Sequence, residues 1–431
     1  MKNKKATLSA IFQNAKVSSL RQAQQLYRAR TDGVLAVDAS IGNVRLPMHP
    51  AMIRRLNSLG KNKQFASGVV NYPPSVGTEE ANKALINLIA ASGAQTKNLH
   101  SMITSGGSQA MDYSILGTCS SQKPLLIFEP IYPNYKIISQ SLSIGVVCMM
   151  RTLKNNGKFS ECDIPLLEKI IKKENPGAIV VIPYDNPTGD MLSFGNLIEI
   201  AKLCVKHNIW LISDEAYRNI YYTKDRPTGI WLLTEDLVPG ITGRRISIET
   251  VSKGLNGCGL RIGGLVSDNE QFCNSALSIA MAHICTNAIG QYIFGAIANE
   301  SFEDLNRWYS DLRNYYKKQI QWVREKTLEL IPEVIFSKVC SAIYSVVDLR
   351  NIVPHSFDSN DFVSYCAKSG SVLVGSKKMT LLTSPMSGFY ATENEFARTQ
   401  IRISYVEDAE NIKLIPQLLS RLLKDYLATK C

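Results

Sequence analysis

The sequence lacks any long apolar segment, since no run approaches the ~20 residues that a bilayer-spanning helix needs. Its ten cysteines include no CxxC pair and lie mostly in apolar surroundings, as in Val147-Cys148-Met149. This pattern indicates buried, reduced thiols rather than a zinc site or a disulfide framework. We therefore expect a cytoplasmic protein that does not bind membranes.

Histidine is also scarce: the five histidines form no spaced cluster, which argues against a metal site and against His-based catalysis. GxSxG and Walker motifs are absent. The first 31 residues contain seven Lys or Arg and no acid, and so superficially resemble an organelle transit peptide. We favour an amphipathic N-terminal helix instead, because Leu8, Ile11 and Phe12 have helical spacing.

Lys and Arg number 48 and Asp and Glu 37, so the formal net charge is +11. The cations are scattered, and no basic stripe alternates with aromatic residues. This arrangement favours a solvated surface with pockets for acids or phosphates, and we expect no nucleic-acid partner.

Short apolar runs alternate with helical patterns through the middle of the chain. This alternation predicts an α/β fold, in which a mainly parallel sheet is covered by helices on both faces and binds ligands beyond the carboxyl ends of its strands. The predicted strands are Leu125–Phe128, Gly145–Met150, Ala178–Ile182, Trp210–Ser213 and Arg245–Glu249, and the predicted helices include Asp163–Lys173 and Phe194–Lys206.

The C-terminal third changes character and predicts a smaller α+β domain. It begins with a charged helical pattern over Glu303–Leu330, continues through strand-like Ser341–Leu349 and Arg402–Val406, and ends in a helix over Leu414–Ala428. We expect residues 51–310 to form the large domain, residues 311–431 the small domain, and residues 1–50 to pack with the small domain.

Four segments contain residues that could take part in catalysis or ligand binding. Lys253 follows a predicted strand in a segment with few charges, where desolvation favours a neutral, nucleophilic amine. Arg261 lies between glycines eight residues later and suits phosphate recognition. Read alone, this segment equally suits a surface lysine and a structural arginine.

The other three segments are ambiguous when each is taken alone. Asn186 lies in a turn after a strand and could donate to a ligand oxygen. Asp214 ends a strand, with Tyr217 three residues on, but it could equally be a helix N-cap. The loop Thr104–Ala110 opens a helical pattern, whose free amides could bind an anion.

Taken in the order in which they occur along the chain, the four segments resemble those of class I/II aminotransferases, which are fold-type I pyridoxal-phosphate enzymes. Four further motifs, spread from about residue 38 to residue 406, extend the resemblance to almost the whole chain. They are Ile41-Gly42-Asn43, the Tyr72 to Gly77 segment, Glu129-Pro130-Ile131-Tyr132-Pro133-Asn134-Tyr135 and Ile401-Arg402-Ile403-Ser404.

The resemblance implies a three-layer α/β/α domain that binds pyridoxal 5′-phosphate, and it implies a role for each matching residue. Lys253 would form the Schiff base and move a proton, Asp214 would pair with the ring nitrogen, and Arg402 would bind the substrate carboxylate. Asn186 and Tyr217 would contact the ring oxygen, and Asn186 would also line the substrate site with Gly42. The remaining implied cofactor ligands are Tyr132 on the ring face and, on the phosphate, Gly107, Ser108, Gln109, Thr250, Ser252, Arg261 and the neighbouring subunit's copy of Tyr72.

These roles predict a homodimeric, ping-pong aminotransferase that acts on L-amino acids and 2-oxo acids and resembles aspartate aminotransferase. A carbon–sulfur β-lyase on the same scaffold is the alternative, because such lyases use the same lysine, aspartate and arginine. One departure concerns the substrate: Ser108 stands where some bacterial aspartate aminotransferases have a lysine for the distal carboxylate.

Overall fold

The computed structural model describes residues 6–13, 19–391 and 394–430. Within these ranges, the strands are β1 Leu35–Asp38, β2 His100–Thr104, β3 Leu125–Glu129, β4 Val146–Met150, β5 Ala178–Val181, β6 Trp210–Asp214, β7 Arg245–Thr250, β8 Gly263–Ser267, β9 Ile335–Phe336, β10 Tyr344–Asp348, β11 Val372–Val374, β12 Lys377–Leu382, β13 Ser384–Pro385 and β14 Gln400–Ser404.

The helices in the same ranges are α1 Ala10–Gln13, α2 Ser19–Arg28, α3 Pro50–Asn57, α4 Glu79–Ala90, α5 Gly107–Thr118, α6 Asn134–Ser141, α7 Ile164–Glu174, α8 Phe194–Lys206, α9 Val251–Gly254, α10 Glu270–Ala280, α11 Ala288–Gly295, α12 Phe302–Leu330, α13 Ser359–Lys368 and α14 Ala409–Ala428. Short 3-10 helices occupy Leu59–Lys61, Ile230–Leu232, Cys258–Leu260, Met281–His283, Ala296–Asn299, Met386–Phe389 and Glu395–Thr399.

A seven-stranded sheet with the order β2-β8-β7-β6-β5-β3-β4 forms the centre of the larger part of the molecule. Strand β8 is antiparallel to both neighbours, and the other neighbouring pairs are parallel. All four residues of β5 are buried: Ala178 and Val180 enter one hydrophobic cluster, Ile179 and Val181 another. Both faces are therefore covered, which confirms the predicted α/β fold with a mainly parallel sheet.

The helix boundaries follow local signals in the sequence. Helix α8 coincides with its predicted range and is capped by Ser193, whose hydroxyl accepts a hydrogen bond from the Asn196 amide. At the N-terminus the structure differs from the expectation: Leu8, Ile11 and Phe12 are exposed around the single turn α1. This stretch therefore supplies no apolar face to the core.

The smaller part is an α+β unit, as predicted, with two sheets in the orders β1-β12-β11 and β13-β14-β10-β9. Strand β1, near the N-terminus, pairs in parallel with β12, so the first part of the chain packs with the last. Helices α12 and α14 contribute to the core of this part. The domain boundaries after residues 50 and 310 stay a prediction, and α12 runs across the second of them.

Helix α12 also ties the two parts together. The indole of Trp308 donates a hydrogen bond to the Gly254 carbonyl at 2.7 Å, and Arg313 donates to the Asn219 carbonyl at 3.1 Å. Both contacts fix loops that follow strands of the large sheet. Over the part of the chain that the structure describes, no helix has the length and apolar character to cross a membrane.

Candidate active site

The carboxyl edge of the seven-stranded sheet gathers most of the residues singled out in the sequence. Asp214 is the last residue of β6, Lys253 lies three residues beyond β7, and Asn186 follows β5. Because these three strands are parallel, their following loops share one edge of the sheet. Strand β8 starts at this edge, which places Arg261 there as well.

Lys253 lies in the one-turn helix α9, which begins after Thr250; the Thr250 hydroxyl accepts a hydrogen bond from the Ser252 amide at 3.2 Å. Lys253 Nζ donates to the carbonyl of Gly42 and lies 3.6 Å from Cys258 Sγ. A Cβ on residue 42 would lie 2.0 Å from Tyr344 Oη and 3.5 Å from Lys253 Nζ. Only glycine therefore lets this backbone reach the amine.

Asp214 is a buried carboxylate that accepts hydrogen bonds from Tyr135 Oη at 2.9 Å and from the Ala216 amide at 3.1 Å. Burial raises the pKa of Asp214 to about 6, although the Tyr135 hydrogen bond acts in the opposite direction. Among the described residues, no Lys or Arg forms an ion pair with it. This carboxylate is therefore suited to a ligand that brings a cationic N–H.

Arg402 is buried in the centre of β14. It donates to Asn186 Oδ1 at 2.8 Å and to the Ser40 carbonyl at 2.5 Å, and its Nε is buried without a partner in the described chain. The rings of Tyr344 and Phe389 lie 4.3 and 4.7 Å from the guanidinium carbon. The structure thus brings Arg402 and Asn186 together and places the guanidinium against two aromatic rings.

Two of the predicted tyrosines also lie at this edge. Tyr217 shares a 2.6 Å hydrogen bond with the hydroxyl of Tyr344, and burial raises the pKa of Tyr217 well above its usual value. Burial raises the pKa of Tyr132 to about 12; the charge of Asp214 adds to this rise, and that of Arg402 opposes it. Tyr132 therefore lies among the charged groups of the site.

The start of α5 forms a cradle for an anion. Gly106 precedes the helix with a φ of 75°, and a Cβ there would lie 2.5 Å from a guanidinium nitrogen of Arg261. Thr250 Oγ1 donates to Ser252 Oγ at 2.8 Å on the neighbouring turn. The free amides of a helix N-terminus beside an arginine and two hydroxyls are suited to a phosphate group.

The remaining phosphate candidates differ in how their side chains are used. Gly107 and Ser108 open α5. The carboxamide of Gln109 accepts from the Ser105 amide at 2.7 Å and donates to Tyr113 Oη at 3.0 Å. Its side chain therefore organises the loop, and a contact from Gln109 to a phosphate would come from its backbone amide.

Tyr72 is a predicted site residue that its own chain leaves largely in solvent. Its side chain is 78% exposed, and Val69 and Val70 beside it are about half exposed. A large aromatic residue in this setting is suited to contact with another molecule.

Sequence reasoning assigned no role to Tyr135, Tyr344 or Phe389. Tyr135 lies three residues after Tyr132 in the same motif, a helical spacing that could have identified it. Tyr344 and Phe389 belong to none of the eight family-like motifs. Over the described residues, no group of three or more His, Cys, Asp or Glu could hold a metal ion.

The model of the family described as aminotransferase class I and II matches residues 37–418. The chain belongs to this family. The LL-diaminopimelate aminotransferase of Maridesulfovibrio salexigens is 24% identical over 399 residues, which are 90% of this chain and 92% of that protein. The probable kynurenine–oxoglutarate transaminase of Saccharomyces cerevisiae is 25% identical over 225 residues, 50% of this chain and 49% of the yeast protein. This match spans about half of the yeast relative.

Solved structures show the same fold. Aspartate aminotransferase from Thermus thermophilus with maleate has a TM-score of 0.79 at 19% identity, covering 97% of this chain and 100% of its own. The putative kynurenine aminotransferase of Saccharomyces cerevisiae also has a TM-score of 0.79 at 19% identity, with 98% and 100% covered. The protein therefore has the fold of aspartate aminotransferase-like enzymes.

Proposed function

We propose that the protein is a pyridoxal 5′-phosphate-dependent aminotransferase that transfers an amino group from an L-amino acid to a 2-oxo acid by a ping-pong mechanism. The observation that carries this proposal is the grouping of three charged side chains at one edge of the sheet. These are the Lys253 amine, the Asp214 carboxylate that lacks a cationic partner in the described chain, and the buried Arg402 guanidinium. Family membership supports it.

The arrangement fits this cofactor at each chemical group. Lys253 would hold it through its amine, and Asp214 would accept a hydrogen bond from the protonated ring nitrogen. Because Arg402 already donates to Asn186 Oδ1, the Nδ2 of Asn186 would be left to donate to the ring oxygen, together with the Tyr217 hydroxyl. Tyr132 would cover the ring face, and the phosphate would be bound by Gly107, Ser108, Gln109, Thr250, Ser252 and Arg261.

The bound cofactor supplies an electron sink for the bond that breaks at the substrate Cα. The protein's own residues bind and orient the substrate and move the proton. Arg402, packed against two aromatic rings, binds the substrate carboxylate and so orients the Cα–H bond. Lys253 Nζ accepts the Cα proton as a general base and returns it, with the Gly42 carbonyl holding the amine in place.

Substrate preference stays a prediction. An aspartate aminotransferase-like activity is expected from the resemblance, although Ser108 offers no charge to a distal carboxylate. The similar proteins suggest LL-diaminopimelate and L-kynurenine as further amino donors. The β-lyase alternative is not favoured, because the relatives named above are aminotransferases.

The proposal includes a homodimer in which Tyr72 of one subunit reaches the cofactor phosphate of the other. The 78% exposure of Tyr72 and the exposed Val69 and Val70 support this arrangement. A cytoplasmic location is also proposed; the cysteines from Cys119 to Cys366 are free, as in a reducing compartment.

An absorbance titration of the purified protein tests the function. A visible band of lysine-bound cofactor should convert to a near-ultraviolet band of the aminated cofactor when L-aspartate, L-alanine, LL-diaminopimelate or L-kynurenine is added. The Lys253→Ala variant should lose this band and nearly all turnover. In a parallel assay with an L-cysteine thioether such as L-cystathionine, release of the free thiol together with pyruvate and ammonia, without the near-ultraviolet product, would instead indicate a lyase. A protein that never binds pyridoxal phosphate would refute the proposal.

A further inference from the structure

A buried cluster of charges lies directly behind the candidate site and has no role in the chemistry proposed above. Arg218 donates to both oxygens of Glu249, at 3.2 Å from Nε and 2.5 Å from Nη2. Glu215 approaches the same guanidinium at 3.5 Å. All three side chains are buried, so two carboxylates share one cation away from solvent.

Hydrogen bonds from neutral groups complete the cluster. Ser247 Oγ donates to Glu249 at 2.7 Å and accepts from the Trp231 indole at 2.8 Å. The Ile230 amide donates to Glu215 at 3.0 Å, as does Ser213 Oγ at 2.8 Å. The segment between β6 and β7, which contains Arg218, Ile230 and Trp231, is thereby anchored to the sheet through these carboxylates.

The three residues connect the two loops on which the chemistry depends. Glu215 lies within the Asp214–Tyr217 turn and Arg218 directly follows it, whereas Glu249 lies four residues before Lys253 on the adjacent strand. An ion pair between Arg218 and Glu249 therefore fixes the distance between the acidic and the basic group of the site. We propose that Arg218 and Glu249 are positioning residues, whose buried ion pair holds Asp214 and Lys253 in register for the cofactor; this inference rests on the proposed function.

The charges of the cluster also act on the site through space. Glu215 and Glu249 add to the rise in the pKa of Asp214 that burial produces. Among the described residues, the titratable groups beside the cluster other than Asp214 are Tyr184, from the loop after β5, and Tyr309 of α12, which also feels the charge of Arg313. A negative charge near the site also stabilises a protonated nitrogen on the bound cofactor, so the cluster should control both geometry and proton affinity.

A second buried ion pair on the same strand supplies a matched control. Arg245 begins β7 and donates from Nε to Asp268 at 2.7 Å; both side chains are nearly buried. It lies at the opposite end of the strand from the site. The Asp268→Asn variant therefore breaks a comparable pair without touching the carboxyl edge of the sheet.

The test compares Glu249→Gln and Arg218→Lys with Asp268→Asn in the holoenzyme. Glutamine keeps the shape of Glu249 and one accepting oxygen but removes its charge and one of the two bonds from Arg218. Lysine keeps the charge of Arg218 but not its paired donors. We expect all three to lower the unfolding temperature by similar amounts. For Glu249→Gln, the pH midpoint of the visible cofactor band should also fall by about one unit, as expected for a unit charge near the site at an effective dielectric of ~20.

Turnover gives the second readout. Both cluster variants should reduce kcat by about tenfold or more while KM changes little, because the misplaced groups act on the reacting atoms rather than on the substrate carboxylate. Equal kcat and an equal absorbance midpoint in Glu249→Gln and Asp268→Asn would overturn the inference. Should Arg218→Lys fail to fold, Glu249→Gln decides alone. A wild-type protein that binds no cofactor would instead refute the proposed function.

Discussion

The pKa of Asp214 is raised because the residue is buried and has no cationic partner among the described residues. It is buried, has a tyrosine and a backbone amide as donors, and meets no cation among the described side chains. Because the pKa of Asp214 is higher in the folded protein than in the unfolded chain, its stabilising contribution is present below the unfolded pKa of ~4. This contribution is lost as the pH rises through about 6.

The same shift predicts the pH dependence of cofactor binding. Above pH 6 the carboxylate is ionised and meets the protonated ring directly, whereas below pH 6 binding must release the Asp214 proton. Affinity for pyridoxal phosphate should therefore weaken as the pH falls below about 6. Fluorescence titrations of the cofactor-free protein measure this, and Asp214→Asn should bind weakly at every pH. Identical pH profiles for the two proteins would contradict the assignment of Asp214.

Site residues predicted from motifs were recognised from their local sequence, whereas those found only in the structure make contacts with residues far away in the sequence. Lys253, Asp214 and Arg402 are recognisable because their local sequence repeats a family pattern. Tyr135 reaches Asp214 across 79 positions, and Tyr344 reaches Tyr217 across 127. Such contacts depend on how helices and strands pack, and no local sequence window contains both partners.

At the scale of elements, the regular parts of the fold were predictable and the reversed strand was not. Strand β5 is a short continuous apolar run and helix α8 has a helical apolar pattern, and these patterns predicted their ranges closely. The short strand β8 was not predicted, and its antiparallel direction is what brings Arg261 to the start of α5. A strand of mostly small and aliphatic residues gives no indication of its direction in the sheet.

The contact between β8 and α5 yields a prediction about Gly106. Gly106→Ala should cost about 1–3 kcal/mol of backbone strain, because a φ of 75° with a ψ of 173° is a conformation essentially restricted to glycine. The new Cβ should also displace the Arg261 guanidinium and weaken cofactor binding about tenfold, as expected for a lost charged hydrogen bond. Gly93→Ala is the control, since Gly93 has a φ of 79° and open space around it. Equal cofactor affinity in the two variants would show that Arg261 does not bind the phosphate.

At the scale of the whole molecule, the exposed Tyr72 predicts that two subunits share each site. A hybrid dimer of one Lys253→Ala subunit and one Tyr72→Ala subunit contains one site with both native residues. Purified through two different affinity tags, this hybrid should recover about half of the wild-type activity. Activity no higher than the mean of the two parent variants would show that Tyr72 does not act across the interface.

The bond from Arg402 to the Ser40 carbonyl joins positions 362 residues apart and has a consequence for biosynthesis. Within the sequence, every residue proposed to bind the cofactor is translated by position 261, whereas Arg402 belongs to β14 in the last part of the chain. A nascent chain therefore contains a complete set of cofactor ligands well before it can hold a substrate carboxylate. Premature termination before β14 would leave a polypeptide with those ligands and no means to orient an amino acid.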